Sequence, residues 1–155
     1  MASRRDQIAL SDAELAELIE AERIVVVGSF GPSGWPHLMP LWYVPRDGEV
    51  WIYTYAKSQK VRNLERDPRA TLLIETGHEY QELRGAMIEA EAEIHRDLDT
   101  VYPLALELTA RYAGGLAPEG EAAEALASQA RKRVAFRFRA TRVATWDHRK
   151  LGGTY

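Results

Sequence analysis

The chain has 155 residues, 46% of them hydrophobic and 28% charged, with a formal net charge of −3 and no cysteine. That size and apolar content fit a single domain with a real core over residues 1–155, while the missing thiols exclude disulfide scaffolds, thiolate metal sites and a cysteine nucleophile. A slightly acidic chain is a poor candidate for gripping nucleic acid by broad phosphate neutralisation.

Wholly apolar runs such as 24–27 are far short of the roughly 20 residues of a membrane span, and the N-terminus is polar where a signal peptide is apolar. A cytoplasmic protein with neither membrane nor nucleic acid as partner is expected. His37, His78, His95 and His148 include no pair at metal-ligand spacing, so no metal site is expected either.

Ser11-Asp12-Ala13-Glu14 has the spacing of a capping box, and Leu15, Leu18 and Ile19 follow on one face, predicting an amphipathic helix over 12–22. Residues 24–30 are rich in β-branched side chains, and the turn Gly31-Pro32-Ser33-Gly34 joins them to a second strand over 35–44. Pro36 and Pro40 have no amide to donate, so that strand belongs at a sheet edge or carries a bulge near Pro40. Past the turn Arg46-Asp47-Gly48-Glu49, residues 49–55 alternate as a third strand. Residues 70–76, with the apolar centre Leu72, Leu73 and Ile74, read as a fourth, although periodicity alone does not separate such a run from buried helix.

A fifth strand is predicted within 81–95, where Gly85 marks a bulge or a close approach of the backbone to another group. Helices are predicted over 98–112, stopped by Gly114-Gly115, and over 118–131. In a sixth strand Val134, Phe136, Phe138 and Ala140 alternate with Arg133, Arg137 and Arg139, giving one greasy face and one wet, basic face on which Arg133 is expected to matter little to binding. A short, glycine-hinged basic tail around Trp146 closes the chain, free to reach a partner subunit. Hairpins, one short crossover helix and a helical pair before the last strand describe an antiparallel barrel of the mainly β, α+β class. Gly28, Gly31 and Gly34 do not form a dinucleotide-binding fingerprint.

The chemistry is concentrated in residues 53–68, where a strand ends, a basic turn follows, and a helix begins at Ser58 and stops before Pro68. Ser58 is a suitable N-cap, its hydroxyl able to accept from a first-turn amide. Lys57, Lys60 and Arg62 crowd the positive end of the helix dipole, and no acid appears until Glu65. Each such cation costs about 0.3–1 kcal/mol when exposed. Either the basic end is simply solvated, or an anion sits between the amides and the lysines and reverses the sign.

These residues resemble the pyridoxamine-phosphate-oxidase-like split barrels, which include FMN-dependent oxidases and F420 reductases. The resemblance covers 23 to about 95 and is most specific from Tyr53-Thr54 through Asp67-Pro68. It implies a six-stranded antiparallel split β-barrel with a short crossover helix, an N-terminal helix and a helical insert. It also implies a homodimer with FMN, or alternatively coenzyme F420, at the subunit interface, and hydride transfer to or from a small-molecule substrate. Carried over by position, His37, Leu38, Met39, Pro40, Leu41 and Trp42 face the cofactor ring, Tyr53 and Thr54 line the ribityl chain, and Ser58 and Lys60 hold phosphate. Gln59 stands where the oxidases have a phosphate-binding arginine, Lys57 is the candidate replacement for that charge, and Gly85 stands where they have a cofactor-binding glutamine. Trp146 resembles the closing strand and is a candidate for stacking on ring or substrate. No side chain is assigned as a general acid. The same barrel can instead carry flavin without turnover, or bind haem through one of the four histidines.

Overall fold

The computed structural model of the protein describes residues 3–153. A first turn of helix, α1 (Arg4–Gln7), precedes α2 (Asp12–Ala21), which starts on the expected capping box: Glu14 N donates to Ser11 Oγ at 3.2 Å, and Ser11 N donates to Glu14 Oε2 at 2.7 Å. Leu18 and Ile19 are the buried residues of α2 and join the main core.

The strands are β1 (Val25–Phe30), β2 (Pro36–Leu41), β3 (Val44–Arg46), β4 (Glu49–Tyr55), β5 (Arg69–Thr76), β6 (Arg84–His95) and β7 (Arg133–Asp147). They form one antiparallel sheet in the order β2-β1-β5-β6-β7-β4-β3. Seven strands replace the six expected, because the segment predicted as one strand over 35–44 breaks after Leu41. Its first part pairs with β1 and its second with β4, at opposite ends of the sheet, so the chain curls the sheet into a split barrel as it passes through Trp42-Tyr43. Tyr43 secures the bend: its side chain is fully buried and its hydroxyl donates to the Ile19 carbonyl at 2.6 Å. β2 is an edge strand, as its prolines require.

Inward-facing Val25, Val27, Ile52, Leu72, Ile74, Ile88, Phe136 and Phe138 fill the barrel, and Val61 and Leu64 of α3 (Gln59–Arg66) join the same core. The insert, α4 (Leu98–Tyr112) and α5 (Gly120–Ala130), covers the outer face of β3, β4 and the start of β7. Val101, Leu104 and Ala130 pack there on Val44 and Ala135. Arg46 clasps Glu107 of α4 with two bonds of 2.6 and 2.9 Å.

The last strand is longer than the predicted one. β7 follows β6 past a bulge between Glu89 and Ala90 to Asp147, so Trp146 lies in the sheet and not in a hinged tail. Beyond Phe138 the strand is held by backbone pairing and by polar bonds to the N-terminal segment, which leave no greasy face in the sequence: Leu10 N donates to Thr145 Oγ1 (2.9 Å) and Asp147 N to the Ile8 carbonyl (2.7 Å). Asp147 then caps a 3-10 turn over His148–Leu151, and its bonds from Arg149 hold its carboxyl below the usual range. No described helix is long and apolar enough to cross a membrane.

Candidate functional site

α3 is positioned by polar bonds as well as by its apolar side. Asn63, fully buried, donates to Ser29 Oγ on β1 at 3.1 Å and accepts from Gln59 Nε2 at 2.8 Å, while Arg66 donates to the Phe30 carbonyl at 2.6 Å. These bonds lock the helix against β1. Its N-terminus is joined through the 56–58 turn to the end of β4, and Ala56 N ties that turn to the Lys132 carbonyl at 3.1 Å.

Lys60 is only 8% exposed, and its Nζ donates to Thr54 Oγ1 at 2.9 Å. No carboxylate pairs with it among the described residues. Burial, and secondarily the charge of Arg133, lower its pKa from the usual lysine value. Lys57 is exposed on the turn just before the helix. Ser58 stands at the N-cap, but its hydroxyl does not cap: the Ser58 carbonyl accepts from Val61 N at 3.2 Å instead, and Oγ is buried without a partner. Tyr53 Oη and Arg133 Nε are likewise buried without hydrogen-bond partners. Buried polar atoms are nearly always satisfied, so the orphaned Ser58 hydroxyl and an uncompensated ammonium at one helix N-terminus fit a bound anion.

Thr54, Lys57, Ser58 and Lys60 therefore gather where β4 turns into α3, while Tyr53 faces the other side of the sheet, against the helical insert. His37, Leu38, Met39, Pro40 and Leu41 lie along β2, with His37, Met39 and Leu41 opposite the inward-facing Ser29, Val27 and Val25 of β1. His37 is thereby linked through Ser29 and Asn63 to α3, and its Nδ1 is buried without a partner. Trp42 has left the strand; one face stacks on Tyr112 of α4, centroids 4.3 Å apart and planes 11° off parallel, and the residue is otherwise half exposed. Trp146 does not join the cluster: roughly 40 Å of extended β7 separate it from Arg133 beside the basic turn.

Gly85 resolves as a close approach and not as a bulge. A Cβ there would lie 2.3 Å from Trp146 Cζ2 and 3.0 Å from the Ile74 carbonyl oxygen, so the indole occupies the space a side chain would take. Asn63, Ser29 and Tyr112 were not singled out by the sequence, and Arg133, expected to sit on a wet strand face, instead has a buried Nε. An asparagine within an eight-residue helix was the one available signal, since asparagine is a weak helix former.

An antiparallel split barrel with a basic turn where β4 leads into α3 defines the class of protein. The model of the pyridoxamine 5'-phosphate oxidase family matches residues 11–147, and the chain belongs to that family. No curated protein matches it. Among solved structures, the conserved hypothetical protein Rv2991 of Mycobacterium tuberculosis is 39% identical, with a TM-score of 0.87 over 99% of this chain and 95% of that one. An F420 reductase is 20% identical, with a TM-score of 0.64 over 82% of this chain and 93% of its own. The haem storage protein HutZ of Vibrio cholerae is 15% identical, with a TM-score of 0.65 over 85% and 92%. The last two show the shared fold.

Proposed function

We propose that the protein is a flavin- or deazaflavin-dependent oxidoreductase, working as a homodimer that holds FMN or F420 between subunits and acts on a small molecule. The observation that carries this reading is the buried Lys60 ammonium, placed without a carboxylate at a helix N-terminus that already repels it. A phosphate at that point turns three unfavourable features into bonds: the ammonium, the helix end and the Ser58 hydroxyl. β2 has only β1 beside it, so every second residue along 39–41 turns its free backbone groups to the open edge, where a ring edge can meet them. Trp42 supplies aromatic surface. When bound, the cofactor supplies the hydride chemistry, and the chain's residues hold and orient it.

Trp146 lies at the far end of β7 from this turn, and a second copy supplying it fits that placement. The outer face of β2, β1, β5 and β6 is open, with Leu38 62% and Phe30 46% exposed beside a groove of about 620 Å³. Large uncovered apolar patches mark association surfaces. A dimer mass is expected in sedimentation equilibrium, and Leu38→Glu should shift it toward monomer and weaken cofactor binding together.

Titration of the purified protein with FMN and with F420 tests the central reading: saturable binding of one is expected, and binding of neither rejects it. Turnover of a hydride donor or acceptor by the loaded protein then separates an enzyme from a carrier. Haem binding is the second reading, favoured by the fold shared with HutZ and by the unpartnered His37 Nδ1. A Soret band on haem addition that His37→Ala abolishes would support it.

A further inference from the structure

Three arginines alternate along the first part of β7, and two of them are accounted for. Arg137 binds Glu49 at 2.6 and 3.3 Å, and Arg139 lies 3.7 and 3.9 Å from Glu91 and Glu93. Arg133 has no carboxylate within ion-pair distance among the described residues, and its Nε is buried without a hydrogen-bond partner. Its guanidinium lies 3.9 Å from the ring centroid of Tyr55 and 4.7 Å from that of Tyr53. Stacking on aromatic faces fixes the plane of a guanidinium while leaving its in-plane N–H donors unspent.

The register says where those donors are. Tyr55 pairs with Arg133 and Thr54 with Val134. Side chains alternate along a strand, so Thr54, carrying the Lys60 ammonium, faces the barrel interior while Tyr53, Tyr55 and Arg133 face outward. The two cations thus flank the end of β4 from inside and outside, with the 56–58 turn between them. They are close enough that the charge of Arg133 adds to burial in lowering the proton affinity of Lys60. Two partly buried cations that repel each other, with no acid between them, are a cost that a shared anion converts into a gain.

We propose that Arg133 is a cofactor-binding residue that grips the cofactor's phosphate from the strand side while Lys60 and the start of α3 grip it from the helix side. The inference rests on the flavin or deazaflavin reading and names a ligand that reading lacked. A planar fork suits phosphate oxygens better than a point charge does, and it supplies the guanidinium that Gln59 does not.

The test compares each cofactor with its phosphate-free counterpart: FMN with riboflavin, and F420 with the deazaflavin alcohol that lacks its phosphate-bearing tail. On the full-length protein, Arg133→Gln should weaken the phosphate-bearing cofactor tenfold or more and leave the counterpart within about twofold. Arg133→Lys, keeping the charge without the fork, should fall between wild type and Arg133→Gln. An equal loss for both members of a pair would reduce Arg133 to a packing residue, and unchanged affinity for both would leave it on a wet strand face; either overturns the proposal while the cofactor reading stands. Wild-type protein that binds neither cofactor overturns both.

Discussion

Lys60→Met should weaken binding of FMN or F420 at least tenfold without destabilising the cofactor-free protein by more than about 1 kcal/mol. A charge-assisted hydrogen bond is worth about 1.5–3 kcal/mol, and each 1.4 kcal/mol is a factor of ten in affinity. The stability half separates a ligand-binding lysine from a structural one. Lys60 has only the Thr54 hydroxyl as partner, so an apolar side chain of similar length removes a desolvated charge and one neutral acceptor's bond. Isothermal titration and denaturant unfolding measure the two halves; a large loss of stability with unchanged affinity would make Lys60 a structural residue.

The same lysine predicts a pH dependence. An anion binds the protonated form, so affinity should fall as pH rises through the cofactor-free pKa of Lys60, which burial and then Arg133 place below the usual lysine value. It should level off above the higher pKa of the complex. The free protein runs the other way: between the lowered folded value and the ordinary unfolded one, the unfolded chain binds more protons, so stability rises with pH and is lost as pH falls through the folded pKa. Lys60→Arg, which does not titrate in this range, should bind with a flat profile.

Residues 53–68 were legible because their oddity is local. Cations at a helix N-terminus are wrong within a single turn, and no distant partner is needed to see it. The capping box at Ser11 and Glu14 and the β-branched run of β1 are local in the same sense. What stayed hidden depends on register. Arg133, Arg137 and Arg139 are equivalent as an alternating series, and only the strands paired with β7 show that two face glutamates while the third faces tyrosines more than 70 residues earlier in the chain. The break between β2 and β3 was invisible for a related reason: two segments of one extended run pair with strands at opposite ends of the sheet. The Ser58 hydroxyl illustrates a third limit, since cap residues are chosen by backbone position, and here the carbonyl alone does the capping.

Gly85→Ala should cost about 1–3 kcal/mol, the usual range for overpacking, or roughly 2–4 °C in melting temperature per kcal/mol at this chain length. The added methyl meets Trp146 Cζ2 at 2.3 Å and Cε2 at 2.8 Å, and on its other side the Ile74 carbonyl at 3.0 Å, which belongs to a paired strand and cannot retreat. The indole must therefore move. It is the softer neighbour, so most of the cost should belong to the pair and not to the glycine. In a Trp146→Ala background the same Gly85→Ala change should lose at least half its effect, leaving only the contact with Ile74. Such non-additivity is what a double-mutant cycle detects between touching residues. Equal costs in both backgrounds would mean that the indole does not rest on Gly85. In the proposed dimer, where a second copy supplies Trp146 to the cradle, the displaced indole should also weaken cofactor binding in the Gly85→Ala protein.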